Sequence, residues 1–130
     1  MNQPVGIVLV SHSRALALGL RDVLAQIGSD SVPVLAAGGT TEGGIGTSYD
    51  VIARAITQAD HGNGVIVLPD LGSSVLTTRT VLDDHPRPDV VIIDAPFVEG
   101  AVAAAVTLAA GGDLQAAVTA AKEARDVPKF

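Results

Sequence analysis

The chain has no cysteine and no tryptophan among its 130 residues, and only 2% of them are aromatic. Without thiols there are no disulfides, no thiolate nucleophile and no sulfur-ligated metal, and the composition fits a reducing compartment, so a cytoplasmic location is expected. Basic residues are also scarce. Eight Lys and Arg against fourteen Asp and Glu give a formal net charge of −6, and no basic cluster is large enough to track a phosphate backbone, which excludes nucleic acid as the expected partner. Long apolar runs are missing too. The run at residues 5–10 is too short and too little preceded by basic charge for a signal peptide, and residues 101–110 are too few for a membrane span.

What is present is aliphatic. Residues of the hydrophobic class make up 48% of the chain, mostly Ala, Val, Leu and Ile, which suits helices packed on a sheet within one domain covering residues 1–130. Short apolar runs at residues 6–10, 32–36, 65–68 and 90–93 alternate with segments of helical period at 16–27, 49–59, 74–84, 98–110 and 114–125. Gly111 and Gly112 separate the last two, and Asp113 is read as a cap. The tail, "DVPKF", is read either as loose or as adding a little edge pairing. Strands that are continuously apolar and alternate with helices indicate a mainly parallel sheet of four to five strands between helical layers, a three-layer α/β/α architecture.

In such open sheets, ligands and chemistry gather beyond the carboxyl ends of the strands. Three of those ends carry polar or glycine-rich sequence: "VSHS" after the first, "AAGG" after the second and "LPDLGSS" after the third. His12 therefore stands where a strand gives way to a helix. Ser11 and Ser13 flank it with hydroxyls, and the following helix directs unpaired N–H groups and its positive end to the same space, favourable to an anion. The alternative is a histidine that merely bonds a neighbouring loop.

Asp70 occupies the equivalent place after the third strand. Its carboxylate is read either as a helix cap or as the partner of one imidazole nitrogen, holding a proton there and leaving the other nitrogen free as a nucleophile. Gly72, Ser73 and Ser74 then open a helix with small residues and hydroxyls that let an anion approach the backbone. The loop 38–47 is read either as a phosphate cradle or simply as a turn.

Other chemistries fail on inventory. There is no G-x-x-x-x-G-K-[ST], no G-x-G-x-x-G and no G-x-S-x-G. His61 and His85 sit in turn-like sequence and read as surface residues, and no H-x-x-x-H or carboxylate cluster suggests a metal. Glu99, in "APFVEG", is open to three roles: capping a helix, pairing with a partner, or shaping the site.

Taken together and in order, "VSHS", "AAGG", "IGTS", "LPDLGSS" and "APFVEG" resemble the mannose-type enzyme IIA domains of the sugar phosphotransferase system, which are flavodoxin-like. Within that family they are most similar to the phosphotransferase subunits of phosphoenolpyruvate-dependent dihydroxyacetone kinases. The resemblance covers nearly the whole chain. It implies that His12 is transiently phosphorylated on the nitrogen facing away from Asp70, that Asp70 orients the ring, and that Gly39, Thr47, Leu71, Gly72 and Ser73 wall the phosphate site.

The same resemblance implies a homodimer, the carrier HPr as phosphoryl donor, and ADP held on a nucleotide-binding kinase subunit as acceptor. The only group carried would be the covalent phosphoryl on His12, with no cofactor. Some relatives continue into fused carrier domains, whereas this sequence stops at Phe130, so the donor is expected to be a separate protein. Two alternatives stay open: a IIA domain donating to the IIB domain of a sugar transporter, and a non-enzymatic module in which His12 and the glycine loops hold a small anion.

Overall fold

The computed structural model describes residues 3–28 and 30–130. Its elements follow in the order β1 (Gly6–Ser11), α1 (Arg14–Ile27), β2 (Val34–Gly38), α2 (Tyr49–Ala59), β3 (Val65–Pro69), α3 (Gly72–Asp84), β4 (Val90–Ile92), α4 (Phe97–Ala109) and α5 (Leu114–Glu123), with a closing 3₁₀ turn at Ala124–Asp126. The four strands form one sheet in the order β2-β1-β3-β4, and every pairing is parallel.

Although β1 is apolar throughout, its two faces feed different layers. Ile7 and Leu9 join Leu20 and Leu24 of α1 and the alanines of α4 and α5 in one buried cluster. Val8 and Val10 join Ile52 and Ile56 of α2 and Val81 of α3 in the other. The two-residue period of a strand thus survives inside a continuous apolar run because both faces are covered by helices. This is the expected three-layer α/β/α fold, with four strands among the described residues.

From β1 the chain moves outward through α1 to β2, then crosses back through α2 to β3 on the other side of β1. Direction therefore reverses between β1 and β3. Such a reversal opens a crevice at the strands' carboxyl ends, and His12 and Asp70 are the residues that follow those two strands.

Several boundaries differ from the sequence reading by one to two residues, two of them for identifiable local reasons. The second strand is shifted from 32–36 to Val34–Gly38, because Pro33 has no N–H to give to the ladder and contributes only its carbonyl, which accepts from Ile7. The strand then runs on through Ala37 and Gly38, where small size is required: a Cβ on Gly38 would lie 2.5 Å from the Ser13 carbonyl oxygen. At the other end, α5 stops at Glu123 instead of 125 and tightens into the 3₁₀ turn. The tail contributes no strand to the sheet among the described residues, so the edge-pairing reading is replaced by an ion pair, Lys129 Nζ to Glu99 at 3.1 Å.

Side-chain caps set three helix starts. Ser13, Ser48 and Asp113 accept from the N–H groups of Leu16, Val51 and Ala116, each satisfying one orphan donor of a first turn. No helix is long and apolar enough to cross a membrane among the described residues.

Candidate functional site

His12 follows β1 directly, and Asp70 follows β3. Because β1 and β3 are neighbours, with Val10 in register with Pro69, the two residues stand side by side although 58 positions separate them. The Asp70 N–H continues the ladder by donating to the Val10 carbonyl at 3.0 Å. The ring nitrogen Nδ1 of His12 then lies 3.0 Å from Asp70 Oδ1.

Asp70 is saturated with donors. Its Oδ2 accepts from Ser11 Oγ at 2.8 Å and from the His12 backbone N–H at 3.1 Å. Its Oδ1 accepts from Ser74 Oγ at 2.7 Å and from the Leu71 N–H at 2.6 Å, besides facing the ring. Burial by itself would raise the carboxyl's pKa, but the hydrogen bonds from Ser74, His12 and Ser11 outweigh it and hold it down at about 2. An ionised carboxylate accepts and never donates, so the proton in the 3.0 Å contact belongs to Nδ1. In the neutral ring the lone pair is then on Nε2.

Nε2 faces outward, against the hydroxyl of Ser73, which donates to it. The His12 side chain keeps 22% of its accessible surface and Asp70 only 8%, so the ring is reachable and its orienting carboxylate is sheltered. The first turns of α1 and α3 both begin here, at Arg14 and Gly72. Two helix amino termini beside one imidazole favour negative charge.

The glycine-rich loop closes a third side. Gly39 takes a positive φ of 76°, its N–H donates to the Ser11 carbonyl, and further along Gly46 donates to the His12 carbonyl at 2.8 Å. Thr47 Oγ1 shares a hydrogen bond of 2.9 Å with Thr77 Oγ1 of α3, fastening the loop's end to the neighbouring helix. Ile45 in the loop and Leu71 beside Asp70 are exposed apolar residues at this rim.

The candidate residues fall into two groups. His12, Asp70, Gly39, Leu71, Gly72 and Ser73 converge on the crevice, with Thr47 at its edge. Ser11 is fully buried, its hydroxyl taken up by Asp70 and by the Ser13 N–H, and Ser13 is the cap of α1. Both support the site from beneath. Asp70 is not the ordinary cap of α3, since the cap position is Leu71 and no side chain bonds there.

Ser74 is the residue whose weight the sequence understated: it is fully buried and touches both members of the pair. Its signal was the Asp-x-x-x-Ser spacing, which puts residue i+4 back over residue i once a helix starts between them. Glu99 lies in the first turn of α4 and pairs with Lys129. The bond to its own backbone N–H, then Lys129, lower its carboxyl pKa. His61 and His85 are exposed, and no group of three or more metal-ligating side chains converges among the described residues.

Residues 6–118 match the family model described as the fructose IIA component of the phosphotransferase system, EIIA-man. The chain is 36% identical to the phosphoryl donor subunit DhaM of the PEP-dependent dihydroxyacetone kinase 1 of Listeria innocua, over 83% of this chain and 85% of that one. It is 33% identical to the phosphotransferase subunit DhaM of the PTS-dependent dihydroxyacetone kinase of Lactococcus lactis, over 85% and 88% of the two chains. Against the Escherichia coli DhaM, 31% identity extends over 96% of this chain but 28% of that longer protein. A crystal structure of a protein of unknown function superposes with a TM-score of 0.85 at 31% identity, covering 92% of this chain and 94% of the other.

Proposed function

The chain belongs to the mannose-type IIA family of the phosphotransferase system, and on that premise we propose that it is the phosphoryl donor subunit of a phosphoenolpyruvate-dependent dihydroxyacetone kinase, with His12 as the phosphoryl carrier. The observation that carries this reading is the Asp70–His12 contact, which commits Nδ1 to the carboxylate and leaves Nε2 as an outward-facing nucleophile.

In the first step the Nε2 lone pair attacks the phosphorus of a phosphohistidine on HPr. The new N–P bond forms as the donor's P–N bond breaks, and the donor imidazole leaves with that electron pair. The His12 ring then carries positive charge with its Nδ1 proton still in place, which the Asp70 carboxylate stabilises. In the second step a β-phosphate oxygen of ADP, held on the nucleotide-binding kinase subunit, attacks the same phosphorus. Nε2 recovers its electron pair and ATP forms on the partner.

Phosphoryl transfer needs in-line positioning and charge stabilisation more than covalent help from the protein. The Ser73 hydroxyl meets Nε2, and α3, which carries it, begins one residue earlier at Gly72. The hydroxyl and the start of that helix supply that stabilisation to the phosphoryl oxygens, with Gly39, Thr47, Leu71 and Gly72 walling the crevice. Both reaction partners are proteins, and the exposed Leu71 and Ile45 give them apolar side chains to meet. The reading carries with it a cytoplasmic homodimer that needs no cofactor.

A second reading is favoured by the family description itself, which is that of a sugar-transport IIA component: the same phosphohistidine would then pass its group to a IIB domain. Intact-mass measurement at neutral pH tests both. With phosphoenolpyruvate, enzyme I and HPr, the protein gains one phosphoryl group and His12→Ala gains none. Discharge by the ADP-loaded kinase subunit establishes the kinase reading, and discharge only by a IIB domain replaces it. No mass gain in the presence of an active donor chain leaves a non-enzymatic anion-binding module.

A further inference from the structure

Three atoms close a triangle beneath the imidazole. Ser74 Oγ lies 2.7 Å from Asp70 Oδ1 and 3.2 Å from His12 Nδ1, and the third side is the 3.0 Å contact between Nδ1 and Oδ1. A hydroxyl has one proton and two lone pairs, whereas the carboxylate can only accept. The Ser74 proton is therefore spent on Asp70, and a lone pair of Oγ remains towards Nδ1. The Nδ1 proton has two acceptors.

Ser11 provides the contrast. It donates to the other carboxylate oxygen and is equally buried, yet its second contact is the Ser13 backbone, not the ring. Ser74 alone among the hydroxyls around Asp70 reaches both members of the pair. Its own place is fixed at the start of α3, where Thr78 Oγ1 donates to its carbonyl at 2.7 Å.

We propose that Ser74 is a positioning residue for the phosphoryl relay, bracing Asp70 and serving as second acceptor for the Nδ1 proton, so that His12 is held in the tautomer with its lone pair on Nε2. This deepens the function proposed above and rests on it. The brace works before and after transfer: before, it selects the tautomer, and after, it helps keep the Nδ1 proton on the charged ring.

The test is a pairwise cycle read by long-range ¹H–¹⁵N spectra of the His12 ring in its neutral form, together with transfer kinetics. Wild type shows the Nδ1–H form. Asp70→Ala retains a measurable share of it through Ser74, whereas Asp70→Ala with Ser74→Ala falls to the Nε2–H pattern of an unconstrained histidine. Asp70→Asn takes the same place in the cycle if Asp70→Ala does not fold. Ser74→Ala alone, which suits a helix first turn, lowers the maximal rate of phosphoryl acceptance about 3- to 10-fold, the worth of one hydrogen bond, with KM for the donor unchanged.

Identical ring spectra for the single and double variants, or wild-type transfer by Ser74→Ala, overturns the proposal. A wild-type protein that accepts no phosphoryl group sinks the relay instead, and the spectra, which need no donor, still decide whether Ser74 sets the tautomer.

Discussion

The Gly46 N–H and the His12 carbonyl meet at 2.8 Å, so the backbone of the proposed phosphoryl acceptor is held by the loop that connects β2 to α2. That loop turns at Gly39 with φ at 76°, and a Cβ there would lie 2.9 Å from the Gly44 carbonyl oxygen. Strain and collision act together. Gly39→Ala is expected to destabilise the protein by about 1–3 kcal/mol and to slow transfer, because the loop's grip on His12 loosens. Gly43→Ala meets no atom within 4 Å and carries only the backbone cost, about 1 kcal/mol. Thermal denaturation with phosphoryl-acceptance rates checks the pair; equal behaviour of the two variants would remove the loop from the mechanism.

Asp70→Ala removes the charged acceptor of the ring proton and strands the hydroxyls of Ser11 and Ser74. Loss of one charge-assisted hydrogen bond is worth about 1.5–3 kcal/mol. If that amount is felt in the transition state, phosphoryl acceptance slows by about 10- to 100-fold. Rapid-quench transfer from phospho-HPr measures it, and an unchanged rate would leave Asp70 with a structural role only.

Much of this site was legible in the sequence because the sheet is regular. Strand ends mark the crevice in a parallel sheet, and one histidine and one aspartate follow the two strands that turned out to be neighbours. What was not legible depended on rotation and depth. Ser11 and Ser13 read alike as flanking hydroxyls, but the alternation of β1 points Ser11 into the interior and leaves Ser13 to cap α1. Ser74 was hidden by the ambiguity of "DLGSS", which fits a capped helix as well as an i, i+4 brace. Pro33 shifted the second strand by two residues, to Val34–Gly38.

Arg87 ties the α3–β4 connection to α2, donating from Nη1 to Asp60 Oδ2 at 3.0 Å and from Nη2 to Thr57 Oγ1 at 3.0 Å. The pair is half-buried, and a guanidinium with two fixed acceptors loses less on ordering than a lone surface charge. Arg87→Ala is therefore expected to cost about 1 kcal/mol in stability, visible as a lower denaturation midpoint, with transfer kinetics untouched because the residue lies at the opposite end of the sheet from His12. A transfer defect in this variant would connect the two ends and contradict the local account of the site.

The depressed Asp70 carboxyl also sets an acid limit on stability. Its folded pKa of about 2 lies below the ordinary value of 3.8, so the unfolded chain binds the proton more readily. Stability from this group is fully present above the unfolded pKa and declines as the pH falls below about 4 towards 2. Allowing for solvent screening at a partly open site, the loss amounts to on the order of 1–2 kcal/mol. Asp70→Asn is expected to flatten this part of the stability curve while wild type keeps its slope, as read by urea denaturation at a series of acid pH values. Parallel curves for the two proteins would mean that the carboxylate's hydrogen bonds are no stronger folded than unfolded, and the donors counted around it would then be holding its position and not its charge.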